Sequence, residues 1–124
     1  MNDPLSITAA AREAGGRTAL IVGAQRYTFA ELAAFAQARR AALDLDPHTP
    51  HALIGSNTLD TAVTLYALLD ARVPVLMLHP KLTEAERQAE IDSTARAAHA
   101  LPADAAAILY TSGTTGRARG AVLT

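Results

Sequence analysis

The sequence contains no cysteine and no tryptophan among its 124 residues. Without cysteine it has no disulfide, no thiolate zinc site and no cysteine nucleophile, a composition that fits a reducing compartment. Aromatic residues make up only 4%, too few for a platform on which nucleic-acid bases could stack. Lysine is nearly absent: Lys81 stands alone against ten arginines. The formal net charge of -1 excludes a generally basic binder of nucleic acid or membrane surface, while leaving room for a local basic patch. No apolar run approaches the length of about 20 residues that a membrane span requires. The start, Met1-Asn2-Asp3-Pro4, lacks the basic beginning and apolar core of a secretory signal. These absences lead to the expectation of a cytoplasmic protein with no transmembrane segment and no nucleic-acid partner.

What is present is core-forming. Hydrophobic residues are 50% and charged residues 19%, as in a folded domain rather than a disordered tail. No repeat at solenoid spacing occurs. Asp3 with Pro4 can open a helix that Gly15-Gly16 ends. Thr18 to Val22 reads as a strand, Gly23-Ala24-Gln25 as a turn, and Arg26 to Thr28 as the returning strand. Thr28 and Glu31 have the spacing of a capping box, opening a helix to about Leu43 with Leu32, Phe35 and Ala36 on one face. After a loop from Asp44 to Pro50 the pattern becomes regular: a strand His51–Gly55, a helix Leu59–Ala71, and a nearly continuous apolar strand Val73–Leu78. A second capping box, Thr83 with Glu86, opens a helix to about Ala98, and Ala107–Tyr110 is a further strand. Strand, helix, strand, helix, strand is the order of an α/β fold with a partial parallel sheet and crossover helices.

The chemistry concentrates after that last strand. Thr111-Ser112-Gly113-Thr114-Thr115-Gly116-Arg117-Ala118-Arg119-Gly120 combines four hydroxyl residues, three glycines and two arginines, with no carboxylate. Glycine lets backbone N–H groups approach an anion, hydroxyls donate to phosphate oxygens, and guanidinium groups supply charge. Open α/β sheets bind ligands at the carboxyl ends of their parallel strands. The residues therefore point to a phosphate-binding loop. It is not a Walker A loop, since Ala118 falls where the second glycine belongs and no lysine follows, and G-x-G-x-x-G is absent. Ala121-Val122-Leu123-Thr124 reads as a strand, so the anion would be held by strand–loop–strand without a helix dipole.

The stretch Ile108–Thr124 resembles the signature loop of the adenylate-forming enzymes, Y-T-S-G-[ST]-T-G-x-P-K-G-V, and Tyr110 to Gly116 matches throughout. Tyr27-Thr28-Phe29-Ala30-Glu31-Leu32 is similar to that family's Y-T-Y-x-E-L segment. Gly55-Ser56-Asn57, Val73-Pro74-Val75 and Pro80-Lys81-Leu82-Thr83 follow in its order. The resemblance implies the truncated N-terminal subdomain of the adenylate-forming fold, with residues 1–124 an incomplete part of an AMP-binding ligase domain. It implies an acid–CoA ligase that joins a small carboxylic acid to ATP, releases pyrophosphate and passes the acyl group to coenzyme A. The loop residues Thr111, Ser112, Gly113, Thr114, Thr115, Gly116, Arg117, Arg119 and Gly120 would then hold the β- and γ-phosphates. Arg119 stands where the family usually has lysine, and Ala118 replaces its proline. Lysine is a point donor and arginine a planar fork, so the charge is kept and its geometry changed. The elements that bind Mg²⁺, ribose and coenzyme A in the family have no counterpart, so no catalytic residue and no metal ligand is expected here. The short segment between Thr83 and Thr111 resembles compact aryl-acid ligases, o-succinylbenzoate–CoA ligase among them. Three alternatives stand beside this reading: a stand-alone nucleotide- or anion-binding module, an inactive remnant, and the adenylation domain of a peptide synthetase.

Other polar residues have plainer expected roles. His48 and His51 read as loop histidines, and His79 as a strand-end histidine. Glu84, Glu86 and Glu90 read as the solvated side of a helix, and Arg39-Arg40 as a solvated face. Asp60 and Asp70 are too far apart on one helix for an acid–base pair, and Ser56-Asn57 reads as a helix cap.

Overall fold

Among the described residues, hydroxyl caps start all four α-helices. In a computed structural model that describes residues 6–46, 48–98, 101–112 and 118–123, helix α1 (Ile7–Ala14) begins at Ser6, whose Oγ accepts the Ala9 N–H at 3.1 Å. Asp3 and Pro4, expected at this start, lie outside the described residues. Strands β1 (Thr18–Val22) and β2 (Gln25–Thr28) pair antiparallel around Gly23-Ala24. Gly23 has φ +59°, a conformation that suits glycine at the first position of a two-residue hairpin turn. Helix α2 (Phe29–Ala42) follows without a gap. Thr28 Oγ1 accepts the Glu31 N–H, and Glu31 Oε1 accepts the Thr28 N–H, completing the expected capping box. Helix α3 (Leu59–Asp70) is capped by Thr58, not by Ser56 or Asn57: the Thr58 Oγ1 accepts the Thr61 N–H at 3.1 Å.

The chain divides into two compact units. Unit 1 takes in Met1–Leu45 and Asn57–Ala71, and so holds α1, α2, α3 and the β1–β2 hairpin. Its core is Ile7, Leu32, Ala33, Ala36, Val63 and Ala67, with Leu20, Phe29, Leu59 and Tyr66 packed around them. Alanine at three of these six positions lets the helices approach closely. Phe35, expected on the buried face of α2, is 42% exposed, because Ala33 and Ala36 are buried there instead. Its ring meets Tyr27 edge-on at 6.2 Å.

Unit 2 takes in Asp46–Ser56 and Arg72–Thr124 and carries the larger sheet. Its strands are β3 (His51–Ile54), β4 (Val75–Leu78), β5 (Ala107–Ser112) and β6 (Ala118–Leu123), in that spatial order. β3, β4 and β5 are parallel, and β6 returns antiparallel to β5. β4 starts at Val75, two residues later than expected. Val73 and Pro74 are buried, but proline has no N–H for the ladder, and only its carbonyl takes part, accepting the His51 N–H at 2.8 Å. Helix α4 (Glu84–Ala97) connects β4 to β5 and begins at the second expected capping box, Thr83 with Glu86. One face of the sheet gathers Leu76, Leu78 and Ile108, with Ala52, Leu82, Ile91, Leu101 and Tyr110 against them. The fold is thus α/β with a partly parallel sheet, as expected.

Candidate functional site

The expected phosphate loop begins later and ends earlier than the sequence pattern suggests. Thr111 and Ser112 continue β5, and Ala118, Arg119 and Gly120 open β6. The backbones pair as Tyr110 with Gly120, Thr111 with Arg119 and Ser112 with Ala118. Gly113, Thr114, Thr115, Gly116 and Arg117 lie outside the described residues, and they join the ends of that hairpin in sequence. The two flanking strands pair antiparallel at the carboxyl end of a parallel strand, and the loop expected between them lies outside the described residues.

The hairpin overhangs its neighbour. β5 pairs with β4 only as far as Leu109, opposite Met77. Past that point Tyr110, Thr111 and Ser112 have ladder partners on β6 alone. A second attachment comes from α4. Tyr110 Oη and Thr94 Oγ1 are 2.9 Å apart. Thr94 is 5% exposed, and its hydroxyl donates to the Glu90 carbonyl at 2.8 Å. The threonine has one proton, so the phenol donates to Thr94 Oγ1. The sequence reading did not find Thr94; its only trace there is a threonine three residues after Ile91 on the sheet-facing side of a polar helix.

Beside the hairpin, a crevice of about 500 Å³ lies at the carboxyl ends of β3, β4 and β5, with Gly55, His79, Glu86, Glu90 and Tyr110 in its lining. At Gly55 the wall is tight: a Cβ there would stand 3.2 Å from Met77 Cε, the flexible end of that side chain. His79 Nδ1 accepts the Lys81 N–H at 3.0 Å, so a neutral imidazole carries its proton on Nε2. Two carboxylates one helical turn apart behave oppositely. The Thr83 N–H, and then the Thr83 hydroxyl, hold Glu86 below the usual carboxylate value. Burial, and secondarily the charge of Glu86, push Glu90 above it.

The remaining candidates are structural. Arg39 is not simply solvated: it pairs with Asp60 at 2.7 Å and donates to the Thr64 hydroxyl, joining α2 to α3. Asp70 accepts the Thr8 hydroxyl at 2.7 Å, so each aspartate of α3 ties its helix to another. His51 opens β3, as the strand reading has it, and is not a loop histidine. His48 donates its backbone N–H to Asp46, which that bond, and then the Thr49 hydroxyl, hold below its usual value. Among the described residues no group of three or more His, Asp or Glu could hold a metal ion, and no helix is long and apolar enough to cross a membrane.

No protein-family model and no curated protein matches this sequence. Solved structures do match. The o-succinylbenzoate coenzyme A synthetase MenE from Bacillus subtilis, in complex with AMP, is 22% identical, with a TM-score of 0.77 over 92% of this chain and 40% of that one. The N-terminal subdomain of Klebsiella oxytoca NpsA is 15% identical, with a TM-score of 0.74 over 94% of this chain and 38% of that one. VinN is 16% identical, with a TM-score of 0.69 over 94% of this chain and 43% of that one. The chain has the fold of the N-terminal region of the adenylate-forming enzymes and spans about two-fifths of each of these three solved chains, of which the NpsA chain is itself a subdomain.

Proposed function

We propose that the chain is the N-terminal portion of an ATP-dependent, AMP-forming carboxylic acid–CoA ligase, and that its β5–β6 hairpin carries the loop that binds the ATP phosphates. The observation that supports this most is the coincidence of motif and place. The Tyr110–Gly120 sequence, rich in hydroxyls, glycine and arginine, spans a hairpin at the carboxyl end of a parallel strand, in a chain with the adenylate-forming fold.

In the first half-reaction an oxygen of the acid attacks the α-phosphorus of ATP. The bond from that phosphorus to the bridging oxygen breaks, and pyrophosphate leaves with the electron pair. Negative charge grows on the leaving pyrophosphate, where donors already in place lower the barrier. Backbone N–H groups at Gly113 and Gly116, the hydroxyls of Ser112, Thr114 and Thr115, and the guanidinium groups of Arg117 and Arg119 are suited to that role, with Thr111 and Gly120 at its two ends. A thiol, coenzyme A in this reading, then attacks the acyl carbonyl and displaces AMP. Mg²⁺ neutralises phosphate charge in such chemistry, but the described residues do not form a metal site, and no step assigned to them runs through it. Binding of Mg²⁺, the acid and coenzyme A is assigned to other parts of a longer cytoplasmic protein.

Acid-dependent exchange between ATP and labelled pyrophosphate by the full-length protein tests the reading. Arg119→Ala is expected to lower the exchange rate by about 10- to 100-fold, the scale of one charge-assisted hydrogen bond, with acid binding changed less than two-fold. Absence of exchange with a broad panel of aryl and alkyl acids, or full exchange in the variant, overturns the assignment.

A further inference from the structure

Among the described residues, the hairpin has few neighbours. Beyond Leu109, β5 has lost β4 as a neighbour. Its remaining partner, β6, is exposed at Ala121, Val122 and Leu123. Opposite Tyr110 stands Gly120, which offers no side chain to hold the ring across the strands. The ring instead packs on the side of the Leu76, Leu78 and Ile108 cluster, and its hydroxyl ends on Thr94 of α4. Thr94 is itself fixed, since its proton is committed to the Glu90 carbonyl inside the helix and almost none of its surface reaches solvent. Oriented in this way, the threonine oxygen can only accept from the phenol, so the bond has one direction and one geometry.

We propose that Thr94 and Tyr110 are positioning residues, a hydroxyl tether from α4 that holds the base of the β5–β6 hairpin so that the phosphate loop is pre-organised for ATP. This rests on the reading of that loop as the ATP phosphate site. Neither residue touches the phosphates in this account. Tyr110 lies three residues before Gly113 and acts through the backbone it anchors, while Thr94 acts through Tyr110. Holding a binding loop in its bound conformation raises affinity by lowering the ordering cost of binding. The ligand that should sense the tether is therefore ATP, and the acid should not.

The test uses variants that remove single atoms from the full-length protein. Tyr110→Phe deletes the donor, Thr94→Val deletes the acceptor at constant shape, and Thr94→Ser keeps the hydroxyl. Tyr110→Phe and Thr94→Val are each expected to raise the KM for ATP by about 3- to 10-fold, the scale of one neutral hydrogen bond, with the KM for the acid unchanged. Thr94→Ser should return the ATP value to within two-fold of the parent. The double variant should be no worse than either single one, because both break the same bond. Amide hydrogen exchange without ligand reads the tether directly: the amides of Thr111, Ser112 and Ala118–Gly120 should exchange faster in Tyr110→Phe, and those of β3 should not. Faster hairpin exchange with an unchanged KM for ATP, equal rises in both KM values, or additive effects in the double variant would each overturn the proposal. A parent protein that shows no acid-dependent pyrophosphate exchange overturns the functional reading instead, and the hydrogen-exchange comparison still decides whether the tether holds the hairpin.

Discussion

The two units use polar side chains in different ways. In unit 1 they join helices: Arg39 of α2 to Asp60 and Thr64 of α3, and Thr8 of α1 to Asp70 of α3. In unit 2 several of them gather at one end of a sheet, where His79, Glu86 and Glu90 line a crevice and Tyr110 marks the exit of the hairpin. Unit 2 also tolerates polar groups that the described residues of unit 1 do not show. The Nε of Arg87 is buried with no hydrogen-bond partner among the described residues, and Glu90 is held above its usual value by burial. A buried polar atom without a partner costs stability. That such costs fall in the unit carrying the loop, and outside the helical one, suggests a division between a packed scaffold and a part shaped by ligand chemistry.

The largest test of that division is a cavity in unit 1. Leu32 is 1% exposed and central to the helical core. Leu32→Ala is expected to cost about 2–5 kcal/mol in urea unfolding, while the KM for ATP of the folded fraction stays within two-fold of the parent. A shift in ATP affinity as large as that of Arg119→Ala would mean that unit 1 shapes the phosphate site and that the division is wrong.

A finer comparison uses the two capping boxes, which are the same device in different surroundings. Thr28 and Glu31 cap α2, which buries Leu32, Ala33 and Ala36. Thr83 and Glu86 cap α4, where Thr94 alone is fully buried. Thr28→Ala and Thr83→Ala should each cost about 1 kcal/mol. Their local effects should differ, because tertiary packing carries most of a helix's stability and α4 has less of it. Amide exchange in the first two turns of α4 should quicken in Thr83→Ala, and the same turns of α2 should stay protected in Thr28→Ala. Equal fraying would show that the packing of α2 does not protect its first turns, and the contrast between the two boxes would fail.

Both capping boxes were legible in the sequence because a box is a spacing of three residues and needs nothing distant. The strand–helix order and the α/β class were legible for a similar reason, since periodicity is local. Choice among adjacent capping residues was not. Ser56, Asn57 and Thr58 can all cap, and the extended backbone at Thr58 settles the matter. The late start of β4 follows from a ladder donor that Pro74 lacks, a feature visible only once β3 is known to be its neighbour. At the candidate site, the loop was legible as a pattern of residues. The sequence could not show that Thr111, Ser112, Arg119 and Gly120 pair across a hairpin, because antiparallel register depends on both strands. The Arg39–Asp60 pair and the Thr94–Tyr110 bond escaped notice for the same reason: each joins residues that only the fold brings together.

The smallest expected effect concerns the two carboxylates of α4, and its sign is fixed by linkage. A carboxyl raised by the fold is harder to ionise there than in the unfolded chain, so Glu90 lowers stability once the pH rises past the unfolded value of 4.5. Well below that pH both states are protonated and the penalty vanishes. Glutamine cannot ionise, so Glu90→Gln should raise Tm at pH 7 and leave it unchanged at pH 3. Solvent screens a carboxyl this open, which limits the rise to about 1–2 °C. Glu86 works in the other direction: its stabilisation is present above the unfolded value and is lost as the pH falls through its lowered one. Because Glu86 is also the second cause of the rise at Glu90, Glu86→Gln should shrink the benefit of Glu90→Gln, and thermal melts of the two single variants and the double variant at pH 7 measure that coupling. If Glu90→Gln stabilises equally at pH 3, its effect comes from helix packing, and the contrast between a satisfied unit 1 and a strained unit 2 loses one of its two supports.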